Sequence, residues 1–335
     1  MPQSAIMWKT TTLLALASVM SLALALPTVE VPSTRSPVDK SYRKMLQGAE
    51  RFKREHALAP QATLRFRVLP RQPGTDMQGI KLKVVGDTTS MAVPIGADNS
   101  FTLEYNELLW REDAAVLANR RTLSMTWRAE VRSPGVPEGM RRLGDLRMEC
   151  LVGMEAGLVS NNAHLFAWLD EFLRSPDKVC SDPHGNYLFF TEKPVFSITL
   201  QAGERRATLP FHALYAGNPP AAEMPYCDCQ VLLDRSYFAP IWDRSWPDDT
   251  LLSFEYMDGP PPASAAAPRD RSAALAALGP PQLSRRFDSG REVWLYQSTP
   301  PVPMQPGPDG RPRMGEHVLL FDANGATLKS RQRAP

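Results

Sequence analysis

Proline sets the first limit on what this chain can fold into. There are 32 prolines in 335 residues. Each removes a backbone donor and breaks a helix interior or a central sheet position at its own site. Short strands, turns, sheet edges and linkers are therefore expected in place of long helices. The rest of the composition is ordinary for a globular protein, and the length suggests about two domains. The formal net charge is +2, which gives no electrostatic case for nucleic acid or a strongly anionic surface.

Residues 1–25 read as a signal peptide. Lys9 supplies a positive flank, residues 10–26 form an apolar run, and Ala23-Leu24-Ala25 offers an Ala-x-Ala cleavage site. The competing reading is an inner-membrane anchor made by residues 10–26, a run at the short limit for a span. No cysteine lies near the site to accept a lipid. The expected location is the periplasm, without lipidation, and with membrane contact only if the signal segment is retained.

The four cysteines, Cys150, Cys180, Cys227 and Cys229, agree with export, because an even number in an oxidising compartment reads as two disulfides. A bridge between Cys227 and Cys229 would be strained, so Cys150 and Cys180 are each expected to bond one member of that pair. Zinc held by Cys180, His184, Cys227 and Cys229 is the competing reading. The one-residue spacer and the oxidising compartment weigh against it, and no metal or cofactor is expected.

Residues 26–58 read as a leader followed by an amphipathic helix, with Tyr42, Met45, Leu46, Ala49 and Phe52 at helical spacing. Residues 59–258 read as a β-rich domain. Alternation at 63–69 and 80–85 marks strands, with further short strands at 90–95, 101–105 and 122–131. A helix is expected at 110–119, and 141–150 runs from charge into a strand ending at Cys150. A second helix is expected at 162–174. Strands follow at 187–190, 195–200, 207–214, 229–233 and 251–256, with a hairpin turn at 202–205. Residues 93–103 resemble strand pairs of transthyretin-like and carboxypeptidase-regulatory β-sandwiches. Residues 259–270, rich in Pro and Ala, read as a stiff linker.

The search for catalytic motifs assigns no catalytic residue. Ser-x-x-Lys occurs twice, at Ser41–Lys44 and Ser175–Lys178, without its companion motifs. Asp248 and Asp249 read as a turn preceding a strand, and Asp322-Ala323-Asn324-Gly325 as a hairpin turn. Arg141, Arg142, Asp145 and Asp248 are candidates for an enzyme site only if folding brings them into one cleft.

The C-terminal module, residues 271–335, carries the most recognisable pattern. A short apolar helix stops at Gly279-Pro280-Pro281. Gly290-Arg291-Glu292-Val293-Trp294-Leu295-Tyr296 and Val318-Leu319-Leu320-Phe321-Asp322-Ala323-Asn324-Gly325 then read as strands. These segments resemble the SmpA/OmlA (BamE-like) domain family, which implies an exported helix-on-sheet module and a role in outer-membrane protein assembly. Three features depart from that pattern: only one helix, at 272–278, precedes the strands where the family usually has two, no lipid-accepting cysteine is present, and a Pro/Gly-rich insertion at 299–315 separates the strands.

The expected fold class is thus mainly β with α+β: a disulfide-linked, β-sandwich-like domain followed by a small helix-on-antiparallel-sheet module. The expected function is a non-catalytic periplasmic binding or assembly protein with an envelope protein as partner. Trp294, Tyr296, Arg291 and the 299–315 loop are the candidate contact surface. The alternatives are a hydrolase-like periplasmic enzyme with its site in the larger domain, or a β-sandwich that binds cell wall or carbohydrate. The sequence sets no oligomeric state.

Overall fold

A computed structural model of the protein describes residues 40–121, 123–158, 175–184, 187–259, 267–298, 306–312 and 314–335. The signal segment, the helix expected at 162–174 and most of the Pro/Ala linker lie outside the described residues. Among the described residues, no helix is long and apolar enough to cross a membrane.

The chain begins with β1 (Lys40–Ser41), α1 (Tyr42–Arg54), β2 (Thr63–Pro70), β3 (Leu82–Val85), β4 (Ser90–Val93) and β5 (Ser100–Phe101). Next come α2 (Glu107–Arg111), β6 (Ala115–Ala118), β7 (Met125–Arg132), β8 (Met140–Arg142) and α3 (Leu143–Glu155). After α4 (Pro176–Ser181) stand β9 (Phe189–Phe190), β10 (Val195–Ala202), β11 (Arg205–Thr208), β12 (Ser236–Tyr237) and β13 (Leu251–Tyr256). The C-terminal region adds α5 (Arg271–Leu278), β14 (Leu283–Arg286), β15 (Glu292–Ser298), β16 (Gly315–Phe321) and β17 (Thr327–Arg333).

Period-two alternation does its usual work in the first half. Sheets β1-β6-β3-β4 and β5-β2-β7 enclose one core, to which Leu82, Val84 and Val116 contribute from one sheet and Phe66, Val68, Phe101 and Trp127 from the other. Helix α1 lies against this core through Tyr42, Met45 and Leu46. Gly48 lets it approach α3 closely: a Cβ there would sit 2.8 Å from the Ala156 Cβ. Arg51 of α1 reaches α4, donating to Asp177 Oδ2 at 3.2 Å.

Helix α3 corrects the strand expected at 141–150. Only Met140–Arg142 is extended, and twelve of the thirteen residues of α3 are buried. Its apolar residues divide between two interiors. Met148 and Val152 belong to the first core, and Leu143, Leu146, Cys150, Leu151 and Met154 to the second. With both sides covered, the helix has no polar face, so the amphipathic signal vanishes. Its charges are internal and paired: Arg141 with Glu149 at 2.6 Å, Arg147 with Asp248, and Asp145 with Ser133 N at 2.8 Å and Oγ at 2.7 Å.

Four smaller expectations also change. The strand expected at 207–214 ends at Thr208 in β11, and Phe211–Ala213 forms a single helical turn. Residues 110–119 split into α2, capped by Asn106, and the strand β6; Asp113, at φ 49°, turns the chain between them. Beyond Phe101 no strand continues to residue 105. Residues 229–233 form turns rather than a strand.

The disulfides are Cys150–Cys180 and Cys227–Cys229, which overturns the expected crosswise pairing. Packing of α3 on α4 brings Cys150 and Cys180 to a Cα separation of 5.9 Å, and the turn at 227–229 brings its own pair to 4.9 Å. Both values fall within the roughly 4.4–6.8 Å that a bridge accepts. All four sulfurs are oxidised, so none of them serves as a thiolate ligand.

The second half is mainly antiparallel. Sheet β11-β10-β13-β8 contains the expected hairpin at 202–205, and the meander β14-β15-β16-β17 carries α5 on one face. Trp294, Tyr296, Leu319 and Phe321 pack there with Ala274 of the helix. The opposite face, with Val293, Leu295, Val318 and Leu320, joins the core of residues 143–257. The hydrophobic interior therefore does not stop at the Pro/Ala stretch, and Pro37–Pro335 is one compact unit. A buried polar knot reinforces the junction. Glu316 of β16 accepts from Phe211 N at 3.0 and 3.1 Å and pairs with Arg333 at 3.2 Å.

Candidate functional site

A pocket of about 330 Å³ opens where four segments of the second half meet, a size within the roughly 300–1,000 Å³ typical of small-ligand sites. The stretch after α4 contributes Asp182, Pro183, His184 and Tyr187. The 210–217 turn contributes Pro210, His212 and Ala216, and the 238–242 stretch Phe238, Pro240 and Trp242. Asp309 and Arg311 come from the insertion between β15 and β16.

The 215–218 turn is the unusual part of the wall. Tyr215, Ala216, Gly217 and Asn218 have φ of 55°, 52°, 71° and 61°. Four successive left-handed residues, three of them not glycine, are strongly disfavoured by contacts of Cβ with the backbone. Such a conformation persists only where its surroundings enforce it, and enforced strain of this kind clusters at ligand clamps and active sites. Here the surroundings are explicit. Tyr215 is fully buried, donates to Val195 O at 3.0 Å and packs on Phe287, with ring centroids 5.0 Å apart. Arg285 of β14 donates to Asn218 Oδ1 and to Pro219 O. The C-terminal sheet thus holds the turn in shape.

The same sheet positions His212. Glu316 fixes the Phe211 amide, and the neighbouring imidazole faces the insertion, its Nε2 3.6 Å from Asp309 Oδ2. Gly307, Gly310 and Arg311 close that part of the insertion as a tight turn: Gly307 N donates to Arg311 O at 2.8 Å, and Gly310 N to Gly307 O at 2.9 Å. Burial lowers the His212 pKa first and Arg311 lowers it further, while Asp309 pulls it upward. The imidazole therefore stays neutral below its ordinary range and presents one donor and one acceptor. Tyr187 is inert by contrast. Burial pushes its phenol up to about 12, and its hydroxyl donates to Glu149 O at 3.1 Å, in space that Gly153 leaves for it.

Most residues singled out in the sequence do structural work. Trp294 and Tyr296 are 7 % and 9 % exposed, which removes them as a contact surface. Trp294 packs edge-on against Phe321 with centroids 4.7 Å apart, and Tyr296 donates to Gly279 O at 3.1 Å, closing the end of α5. Arg291 pairs with Asp258. Arg141, Arg142, Asp145 and Asp248 do not converge on one cleft. Arg142 donates to Leu58 O at 2.6 Å and pairs with Asp145 at 3.4 Å, while Arg141 is held by Glu149 and Asp248 by Arg147. Both Ser-x-x-Lys matches are helix caps, with Ser41 Oγ accepting from Lys44 N and Ser175 Oγ from Lys178 N. Asp322 accepts from Ala326 N at 2.8 Å in the β16–β17 turn, as expected of a hairpin.

By sequence, His212 reads as a packed histidine and Trp242 as part of a packed, salt-bridged loop, and the left-handed turn is missed. The available signal was local: Gly217-Asn218-Pro219-Pro220 is dense in residues that favour left-handed or turn backbone. Of the candidate ligands and contacts named in the sequence, His184 lines the pocket, as do Asp309 and Arg311 from the described part of the 299–315 loop.

No family model, no curated protein and no solved structure matches this chain.

Proposed function

We propose that this chain is an exported, non-catalytic binding protein of the cell envelope, and that the pocket at His212 receives an extended segment of an envelope protein. The observation that carries the proposal is the enforced left-handed turn at 215–218, set in a wall of Pro183, Pro210, Pro240, Phe238 and Trp242. Aromatic and proline surfaces of this kind take extended or polyproline-type peptides, whose backbone groups need few but well-placed partners. The neutral imidazole of His212 and the guanidinium of Arg311 supply such partners at the rim. The two disulfides fit an oxidising compartment, and the leader pattern of residues 1–25 fits export. The helix-on-sheet arrangement of residues 271–335 is in keeping with the resemblance to the BamE-like family, although fold alone does not transfer a role in barrel assembly.

Photo-crosslinking in the native envelope tests this. A photoreactive side chain in place of half-buried Trp242 is expected to give a discrete protein adduct, and the same group at exposed Tyr105 is expected to give none. Identical adducts from both positions, or none from residue 242, would overturn the proposal. The hydrolytic alternative rests on the His212–Asp309 pair, which has the arrangement of a base with its orienting carboxylate. It requires that His212→Gln abolish a turnover that the unaltered protein performs on envelope substrates.

A further inference from the structure

A second polar crevice, distinct from the pocket, lies where the β2–β7 ladder meets residues 190–192 and 232–235. In β7 the alternation places Thr126, Arg128, Glu130 and Arg132 on one face of the sheet, and the register sets Arg67 of β2 directly opposite Arg128. Two cations facing each other across a ladder repel. Arg67 is relieved by Glu192 at 3.0 Å and Glu130 at 3.5 Å. Arg132 meets Glu130 at 2.8 Å and Glu192 at 3.3 Å, and Arg141 is relieved by Glu149.

Among the described residues, Arg128 has no carboxylate in ion-pair contact. It is 4 % exposed, its guanidinium lies 4.6 Å from the Tyr187 ring centroid and 5.4 Å from that of Phe190, and its Nη2 donates to Leu188 O. Arg235 likewise has no carboxylate in ion-pair contact among the described residues; its Nη1 donates to Glu192 O at 3.1 Å.

Three buried nitrogens here have no hydrogen-bond partner among the described residues: Arg128 Nη1, Arg141 Nε and Arg235 Nε. All three residues line one crevice of about 90 Å³. Its walls carry five arginines against three glutamates, and every one of those glutamates is already engaged by an arginine. Buried donors and cations left unpaired are costly, and native structures match them with an acceptor.

We propose that this crevice binds a small tetrahedral oxyanion, free phosphate or sulfate. The arginines come from different segments, among them β7, β8 and the turn before β12, so the positive charge of the wall is not that of a single planar fork. A planar carboxylate favours the parallel fork of a single arginine, whereas a tetrahedral ion offers oxygens in several directions. At the roughly 10–15 Å³ that each bound water needs on a comparable scale, the crevice of about 90 Å³ has room for the few heavy atoms of such an ion and falls short of an ion carrying a glycerol-sized substituent.

Calorimetric titration of the full chain, with disulfides oxidised and ionic strength held constant with chloride, tests the proposal. Saturable one-to-one binding of inorganic phosphate and of sulfate is expected. Arg128→Met is expected to weaken it at least tenfold and Arg235→Gln severalfold, with glycerol phosphate at least tenfold weaker than phosphate. Should Arg128→Met fail to fold, the half-buried Arg235→Gln decides. Absence of saturable binding, or unchanged affinity in Arg235→Gln, overturns the site. Glycerol phosphate binding as well as phosphate overturns the free-ion assignment in favour of a phosphorylated head group.

Discussion

Ala216 adopts a left-handed backbone, φ 52°, with its side chain fully buried. A β-branched residue tolerates neither condition. Ala216→Val is therefore expected to cost at least about 2 kcal/mol in urea denaturation, far more than the same change on the surface. His212 gives a charge-sensitive reading of the same pocket. Because its folded pKa lies below the ordinary value near 6.5, the unfolded chain takes up this proton first. Stability from this group is thus complete above about pH 6.5 and declines as the pH falls through that value. Arg311→Gln removes a lowering influence and should raise the imidazole pKa, while Asp309→Asn removes a raising one and should lower it further. A proton NMR titration of the His212 ring checks both directions, and equal pKa values in the two variants would contradict the geometry.

At the scale of elements, strands with one face in a core were readable and elements buried on both sides were not. The alternation of 63–69 and 80–85 survives as β2 and β3, and the apolar stripe of 39–56 as α1, because each keeps a wet face. Helix α3 was hidden by its own burial: with charges inside and apolar residues all round, it carries no periodic contrast to detect. The disulfide pairing was unreadable for a related reason, since it depends on α3 lying against α4, a tertiary fact. The two bridges should also differ in weight. Cys150–Cys180 closes a 30-residue separation, for which chain entropy gives roughly 3–4 kcal/mol, whereas Cys227–Cys229 spans only two. Replacing Cys150 and Cys180 together by Ala is expected to lower stability by about that amount in denaturant titration, and clearly more than the matching change at Cys227 and Cys229.

For the molecule as a whole, the Pro/Ala stretch promised two independent modules, and the packing joins them. The face of the C-terminal sheet bearing Val293, Leu295, Val318 and Leu320 belongs to the core of the preceding region. Glu316, Arg285 and Lys329 add polar ties to Phe211, Asn218 and Glu255. Composition marks where a chain is locally unable to pack, but it cannot report which distant faces are complementary. The candidate site suffered from the same limit: His212 and Asp309 come from opposite sides of the linker, and nothing local connects them. A chain ending at residue 266 is therefore expected to lose cooperative unfolding and expose apolar surface to a hydrophobic dye. A sharp thermal transition in that truncation would show that the modules are separable.

The double enclosure of α3 has a kinetic consequence. If either interior loosens by itself, the helix remains covered by the other, so its backbone amides keep their hydrogen bonds through every partial opening. Deuterium should enter those amides only when the entire fold lets go. The helix that no periodicity announced would then be the slowest clock in the protein, and its exchange rate a direct gauge of global stability.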